Sequence, residues 1–150
     1  MESVWIEEDF SVNEEFDNVQ SHIQKIRPSW TDWSSVRLKR FTAGVTNSIA
    51  GFYHPNDSEW REMVLIRRYG EKTELLIDRD AEVTYMKLLY SEGLGVPIYG
   101  RLTNAVLYGF APGITLNKQT VKDKTIRTLI AHKMAEMHKI NLNDHGRWLL

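Results

Sequence analysis

Between Met63 and Val83 the chain reads M-V-L-I-R-R-Y-G-E-K-T-E-L-L-I-D-R-D-A-E-V, an apolar strand-like run that delivers Arg67 ahead of a helical pattern carrying Glu82. Upstream, Thr42-Ala43-Gly44-Val45-Thr46-Asn47-Ser48 lies between two other strand-like segments. A phosphate chain needs N–H donors that converge with no side chain in the way, which Gly44 permits. Thr46 and Ser48 add hydroxyl donors and Asn47 an amide. A cation on an apolar strand is costly unless it meets an anion. Loop, strand-borne cation and helical carboxylate, in that order, are the parts that hold the phosphates of a nucleotide.

Each part has an ordinary use as well. Gly-Val-Thr-Asn is a good hairpin turn. Arg67 on an edge strand would reach water with its head group, beside an exposed Arg68. Glu82 in a first helical turn favours the helix dipole whatever else it does. The order of the three is more telling than any one of them. Asp78-Arg79-Asp80 reads as helix capping with Arg79 pairing locally, in preference to a metal-binding acid pair. His132 and Glu136 are helical neighbours, but His138 lies about 240° around the helix from His132, so no metal ligand set is assigned. Lys118, Lys122 and Lys124 form a solvated face. Trp5, Trp30, Trp33, Trp60 and Trp148 are spread out and build no stacking platform for nucleic acid.

The 150 residues suit one domain or lobe, with 42% apolar and 26% charged residues as in ordinary globular proteins. A formal net charge of −1 gives no global field toward nucleic acid or anionic membrane. The absence of cysteine excludes disulfides, thiolate metal sites and cysteine nucleophiles. No apolar run approaches the roughly 20 residues of a membrane span. The acidic N-terminus lacks the order of a signal peptide, and a cytoplasmic protein is expected.

Ser11-Val12-Asn13-Glu14 has the form of a capping box, and Phe16, Val19, Ile23 and Ile26 recur at helical spacing until Pro28. Strands are predicted over Val36–Phe41, Ile49–His54 and Glu62–Tyr69. A helix follows over Asp80–Ser91, with Val83, Met86, Leu89 and Tyr90 near one face. Two more strands, Ile98–Leu102 and Val106–Phe110, precede a helix over Lys122–Lys139 with Ile126, Leu129, Ile130, Met134 and Met137 as its buried stripe. The fold class expected is α+β, a five-stranded antiparallel sheet with one inserted helix. It divides into an N-terminal helical segment (1–34), a nucleotide-binding lobe (35–110) and an exit segment with the last helix (111–150).

Arg40-Phe41-Thr42-Ala43-Gly44-Val45-Thr46-Asn47 resembles the nucleotide loop of the choline/ethanolamine kinase family. Val64-Leu65-Ile66-Arg67-Arg68-Tyr69-Gly70 is similar to that family's third strand, where arginine replaces the usual lysine of protein kinases. Glu71 to Asp80 resembles ethanolamine kinases more than choline kinases, and Ile130 to His138 resembles the helix after the hinge. The similarity runs from about Ile23 to His138.

This resemblance implies a protein-kinase-like N-terminal lobe and an enzyme using ATP and Mg²⁺ to phosphorylate the hydroxyl of ethanolamine, toward phosphatidylethanolamine. It carries over Gly44, Thr46, Asn47 and Ser48 as the phosphate loop, Arg67 as the phosphate-contacting cation and Glu82 as its partner. Tyr108, Gly109 and Phe110 become the hinge edging the adenine. Relatives often hold an acidic or amide residue where this chain has Gly109. The family keeps its catalytic aspartate and Mg²⁺-holding acids in a second lobe, in a His-Asn-Asp-type loop and a later strand. No His-x-Asp occurs in this sequence, so no catalytic or metal residue is assigned to it. The expectation is a truncated kinase ending just past the hinge, inactive alone, with the ethanolamine site mainly in the other lobe. The alternatives are a non-catalytic truncated isoform that acts by association with itself or with a full-length kinase, and the lobe of a kinase for choline or an aminoglycoside.

Overall fold

Alternation of apolar and polar residues at a period of two turns the middle of this chain into sheet. The computed structural model describes residues 4–41, 48–58, 60–70, 73 and 77–140. Its strands are β1 (Ile6–Glu8), β2 (Arg37–Phe41), β3 (Ser48–Tyr53), β4 (Val64–Arg68), β5 (Ile98–Leu102) and β6 (Ala105–Gly109). Three helices accompany them among the described residues: α1 (Gln20–Ile26), α2 (Arg79–Ser91) and α3 (Lys124–His138). The class is α+β as expected. The sheet, however, has six strands in the order β1-β5-β6-β4-β3-β2, and it is mixed, not purely antiparallel.

The strand missing from the expectation is β1, which runs parallel to β5 with Ile6 opposite Gly100. Three residues with one apolar side chain carry no readable alternation, so tertiary pairing alone makes this strand. Gly100 admits it: a Cβ there would collide with the Ile6 carbonyl oxygen and come within 2.8 Å of the Ile6 Cβ. A second tie runs to α1, where Glu8 accepts from Lys25 Nζ at 2.6 Å and meets buried His22 Nε2 at 3.1 Å.

The N-terminal helix is shorter than its periodicity suggests. Asn13 Oδ1 accepts from the Asp17 N–H at 3.2 Å, and Phe16 takes a positive φ of 58°. Short polar side chains here compete for the backbone and hold a turn, so no capping box forms and Val19 caps α1 without a side-chain bond. The apolar stripe is used all the same, with Phe16, Val19 and Ile23 essentially inaccessible and Ile26 buried. They join Ala50, Phe52, Val64, Ile66, Ala105 and Leu107 in the larger core, on one face of the sheet. A smaller core of Val83, Ile98 and Val106 lies on the other face, under α2.

Asp78 caps α2 by accepting from the N–H groups of Asp80 and Ala81, both at 3.0 Å. Its buried positions are Val83 and Leu88, whereas Tyr90, expected inside, is 47% exposed. Gly93, at φ 70°, ends the helix in a conformation that suits glycine.

Residues Met1–Pro112 and Gly113–Leu150 form two compact units. In the second, Asp123 caps α3 through the N–H groups of Thr125 and Ile126. The predicted apolar stripe is there but unburied: Leu129, Met134 and Met137 are exposed. An amphipathic helix buries its stripe only against a partner element, which periodicity cannot supply. None of the described helices is long and apolar enough to cross a membrane.

Two outcomes follow from the seating of β1. Gly100→Ala should cost about 1–3 kcal/mol as an overpacked site, read as a lower melting temperature with faster amide exchange at residues 6–8. The Glu8 carboxyl is held below its ordinary value of 4.5, first by its hydrogen bond from Lys25. A depressed carboxylate stabilises the fold above 4.5 and loses that contribution as pH falls through its lower folded value. Protection factors of the β1 amides, corrected for the intrinsic pH dependence of exchange, should therefore fall on acidification before those of the central strands.

Candidate functional site

On β4, Val64 and Ile66 enter the larger core, so Leu65 and Arg67 face the other side of the sheet. Arg67 lies opposite Ile49 on β3 and Val106 on β6, which makes its strand central and its charge hard to solvate. The partner comes from α2: Arg67 Nη2 donates to Glu82 Oε1 at 2.5 Å. The two side chains are only 23% and 21% exposed, so the pair is partly screened from water. Replacing one partner would leave a poorly solvated charge, which costs more than the pair contributes. Arg67 Nε is buried with no hydrogen-bond partner among the described residues.

The other oxygen of Glu82 is taken by Arg79, whose Nη1 donates to Oε2 at 2.9 Å. Arg79 also lies over the Tyr69 ring at 3.8 Å and donates to Thr73 Oγ1 at 2.5 Å. Burial, and then the Glu82 charge, push the Tyr69 phenol above its usual value; burial does the same to Tyr108. Both rings are thus neutral walls around the charged pair at ordinary pH.

Tyr108 pairs with Leu65 across the sheet, on the Arg67 side. Gly109 is packed against Pro97: a Cβ would stand 2.7 Å from Pro97 Cγ. No side chain fits at that position, which accounts for glycine there. Phe110 meets Trp60 edge-on at 5.7 Å and Phe41 at 6.2 Å. Gly44, Thr46 and Asn47 lie outside the described residues. Ser48 opens β3 opposite Arg68, so strand alternation sends its hydroxyl to the face away from Arg67.

The structure therefore brings Arg67, Glu82 and Tyr108 to one face of the sheet, with Gly109 and Phe110 at the exit of β6. Arg79's local pairing was legible from its i,i+3 spacing to Glu82. Its stacking on Tyr69 was not. Trp60 was missed as a neighbour of Phe110; it sits at a φ of 53° in a turn that carried no aromatic signal. A cavity of about 770 Å³ opens beside the β5–β6 turn, lined by Arg68, Arg79 and Arg101 against Glu7, Glu8 and Asp9. Its charges balance, and several are already paired, Arg101 with Glu7 at 2.7 Å and Glu8 with Lys25.

The choline/ethanolamine kinase family profile matches residues 38–148. Human ethanolamine kinase 1 is 39% identical over 129 residues, covering 86% of this chain and 27% of that protein. Mouse ethanolamine kinase 2 is 36% identical over 138 residues, covering 89% of this chain and 35% of that protein. A Plasmodium vivax ethanolamine kinase structure shares the fold, with a TM-score of 0.71 at 24% identity over 89% of this chain and 36% of that one. The chain spans about a third of the length of such relatives. On a profile match that takes in the Arg67 strand, the Glu82 helix and the Tyr108–Phe110 exit, this chain belongs to the choline/ethanolamine kinase family.

Proposed function

We propose that this chain is the nucleotide-binding lobe of an ethanolamine kinase and holds ATP by its phosphates. The observation that carries this reading is the Arg67–Glu82 pair at 2.5 Å, with Arg67 Nε buried and unpartnered among the described residues. A guanidinium has five N–H donors, and an orphaned buried one costs about 1–3 kcal/mol. An anion beside Arg67 would relieve that cost. In this reading Glu82 orients Arg67 toward the α- and β-phosphates. Backbone donors of the Gly44–Ser48 loop, with Thr46 and Asn47, complete the grip, and Tyr108, Gly109 and Phe110 edge the adenine. Residues 1–34 then buttress the lobe (35–110), and 111–150 comprise the hinge and the start of the C-terminal lobe.

Among the described residues no group of three His, Cys, Asp or Glu that could hold a metal occurs, and no Mg²⁺ ligand is assigned here. No step is assigned to it on this chain. The reaction of the family's ethanolamine kinases would transfer the γ-phosphate to the hydroxyl of ethanolamine, with the hydroxyl proton passing to a base. These 150 residues contain no His-x-Asp to supply that base. We therefore assign them phosphate binding without turnover.

Calorimetric titration of the purified chain tests the grip. Arg67→Ala should weaken ADP by about 10- to 100-fold, the worth of one charge-assisted hydrogen bond, while adenosine affinity stays the same. Equal ADP binding by the variant would remove Arg67 from the phosphate site. Incubated with ATP, Mg²⁺ and ethanolamine, the chain should form no phosphoethanolamine. Product that disappears in Arg67→Ala would overturn the assignment of binding without turnover.

A further inference from the structure

We propose that Arg79 is a positioning residue that keeps Arg67 available to phosphate by occupying half of the Glu82 carboxylate. The inference rests on the phosphate-binding reading of Arg67. A carboxylate facing an arginine alone tends to be gripped by two parallel N–H groups of the guanidinium fork. Here Glu82 gives Oε1 to Arg67 and Oε2 to Arg79, so Arg67 receives one oxygen, and its Nε, like those of Arg68 and Arg79, has no partner among the described residues.

The helix dipole does not place Arg79 where it is, because a cation in the first turn faces the positive end of α2. Three contacts hold it there instead: Glu82, the Thr73 hydroxyl and the face of Tyr69. With a side chain only 16% exposed, Arg79 is less accessible than Arg67. Tyr69 stands two residues beyond Arg67 on the same side of the strand. The strand thereby offers a cation and a ring, the helix an acid and a cation, and the crossed contacts fix one register between them.

The test uses the full chain with ADP and adenosine as probes. Arg79→Gln should weaken ADP about tenfold and leave adenosine unchanged, and Arg79→Lys should recover most of the loss. In a Glu82→Gln background, Arg79→Gln should add nothing further, because Arg79 acts through that carboxylate. Equal losses for ADP and adenosine, or full additivity with Glu82→Gln, would make Arg79 a purely structural residue and overturn the inference. A second arm needs no ligand and no Arg79→Gln crystal. In ¹⁵N-arginine-labelled chain, the Arg67 Nε–H signal should shift and its solvent exchange slow in Arg79→Gln, as Oε2 becomes free to accept from it. An unchanged Arg67 signal overturns the inference even where ADP binds. Wild-type chain that binds no ADP overturns the phosphate-binding reading itself, whatever the Arg67 signal does. Should Arg79→Gln fail to fold, Arg79→Lys carries both arms, with a smaller signal shift and near-normal ADP affinity expected.

Discussion

A guanidinium in the middle of a sheet is the constraint on which the rest of this molecule depends. β4 is flanked by β3 and β6, so Arg67 cannot reach water along an open edge. Its charge finds a partner there because α2 brings Glu82 to within hydrogen-bond distance. That requirement fixes where α2 starts, which side of the sheet it covers and how far along β4 it is set. Asp78 supplies the starting point by capping the helix, and the Arg79 contact to Tyr69 fixes the register. A shift of one helical residue would turn Glu82 by about 100° and leave Arg67 unpaired.

The two faces of the sheet divide the labour. One is filled by the larger core, where residues of the N-terminal segment and α1 pack on β3, β4 and β6. That face supplies most of the apolar burial, and it contains buried His22 only at its margin, against Glu8 and the Phe10 ring. The other face has a smaller core and carries the charged pair, the two half-buried tyrosines and the aromatic exit. A face that carries a charged pair cannot also be the main hydrophobic core, so the stability of the lobe is built on the opposite face. The N-terminal segment is accordingly part of the lobe's foundation, and β1 extends the sheet on the side where Gly100 gives it room.

Much of this was legible in the sequence, for identifiable reasons. The central strands and α2 are written in apolar alternation, in turn residues and in the Asp78 cap, all local signals. Arg67 and Glu82 stand out because a charge on an apolar strand demands a partner. What failed was equally specific. The capping box at Ser11–Glu14 lost to the side-chain bonds of Asn13, which hold a turn instead. Tyr90 belongs to the exposed side because α2 turns Leu88 inward, a choice set by packing on β5. The α3 stripe repeats at the right period, yet a period states only which residues share a face.

The sequence by itself determined the elements, the family signature and the identity of the charged partners, because each depends on residues close together in the chain or on a motif in fixed order. Tertiary structure alone decided that the sheet has a sixth, parallel strand, since that pairing is won by the bare backbone at Gly100, far along the chain, and by the ties of Glu8 to α1. It also decided that Glu82 is shared. No spacing rule shows that one carboxylate divides its oxygens between a strand arginine and a helix arginine, because that outcome depends on the distance and angle between two packed elements.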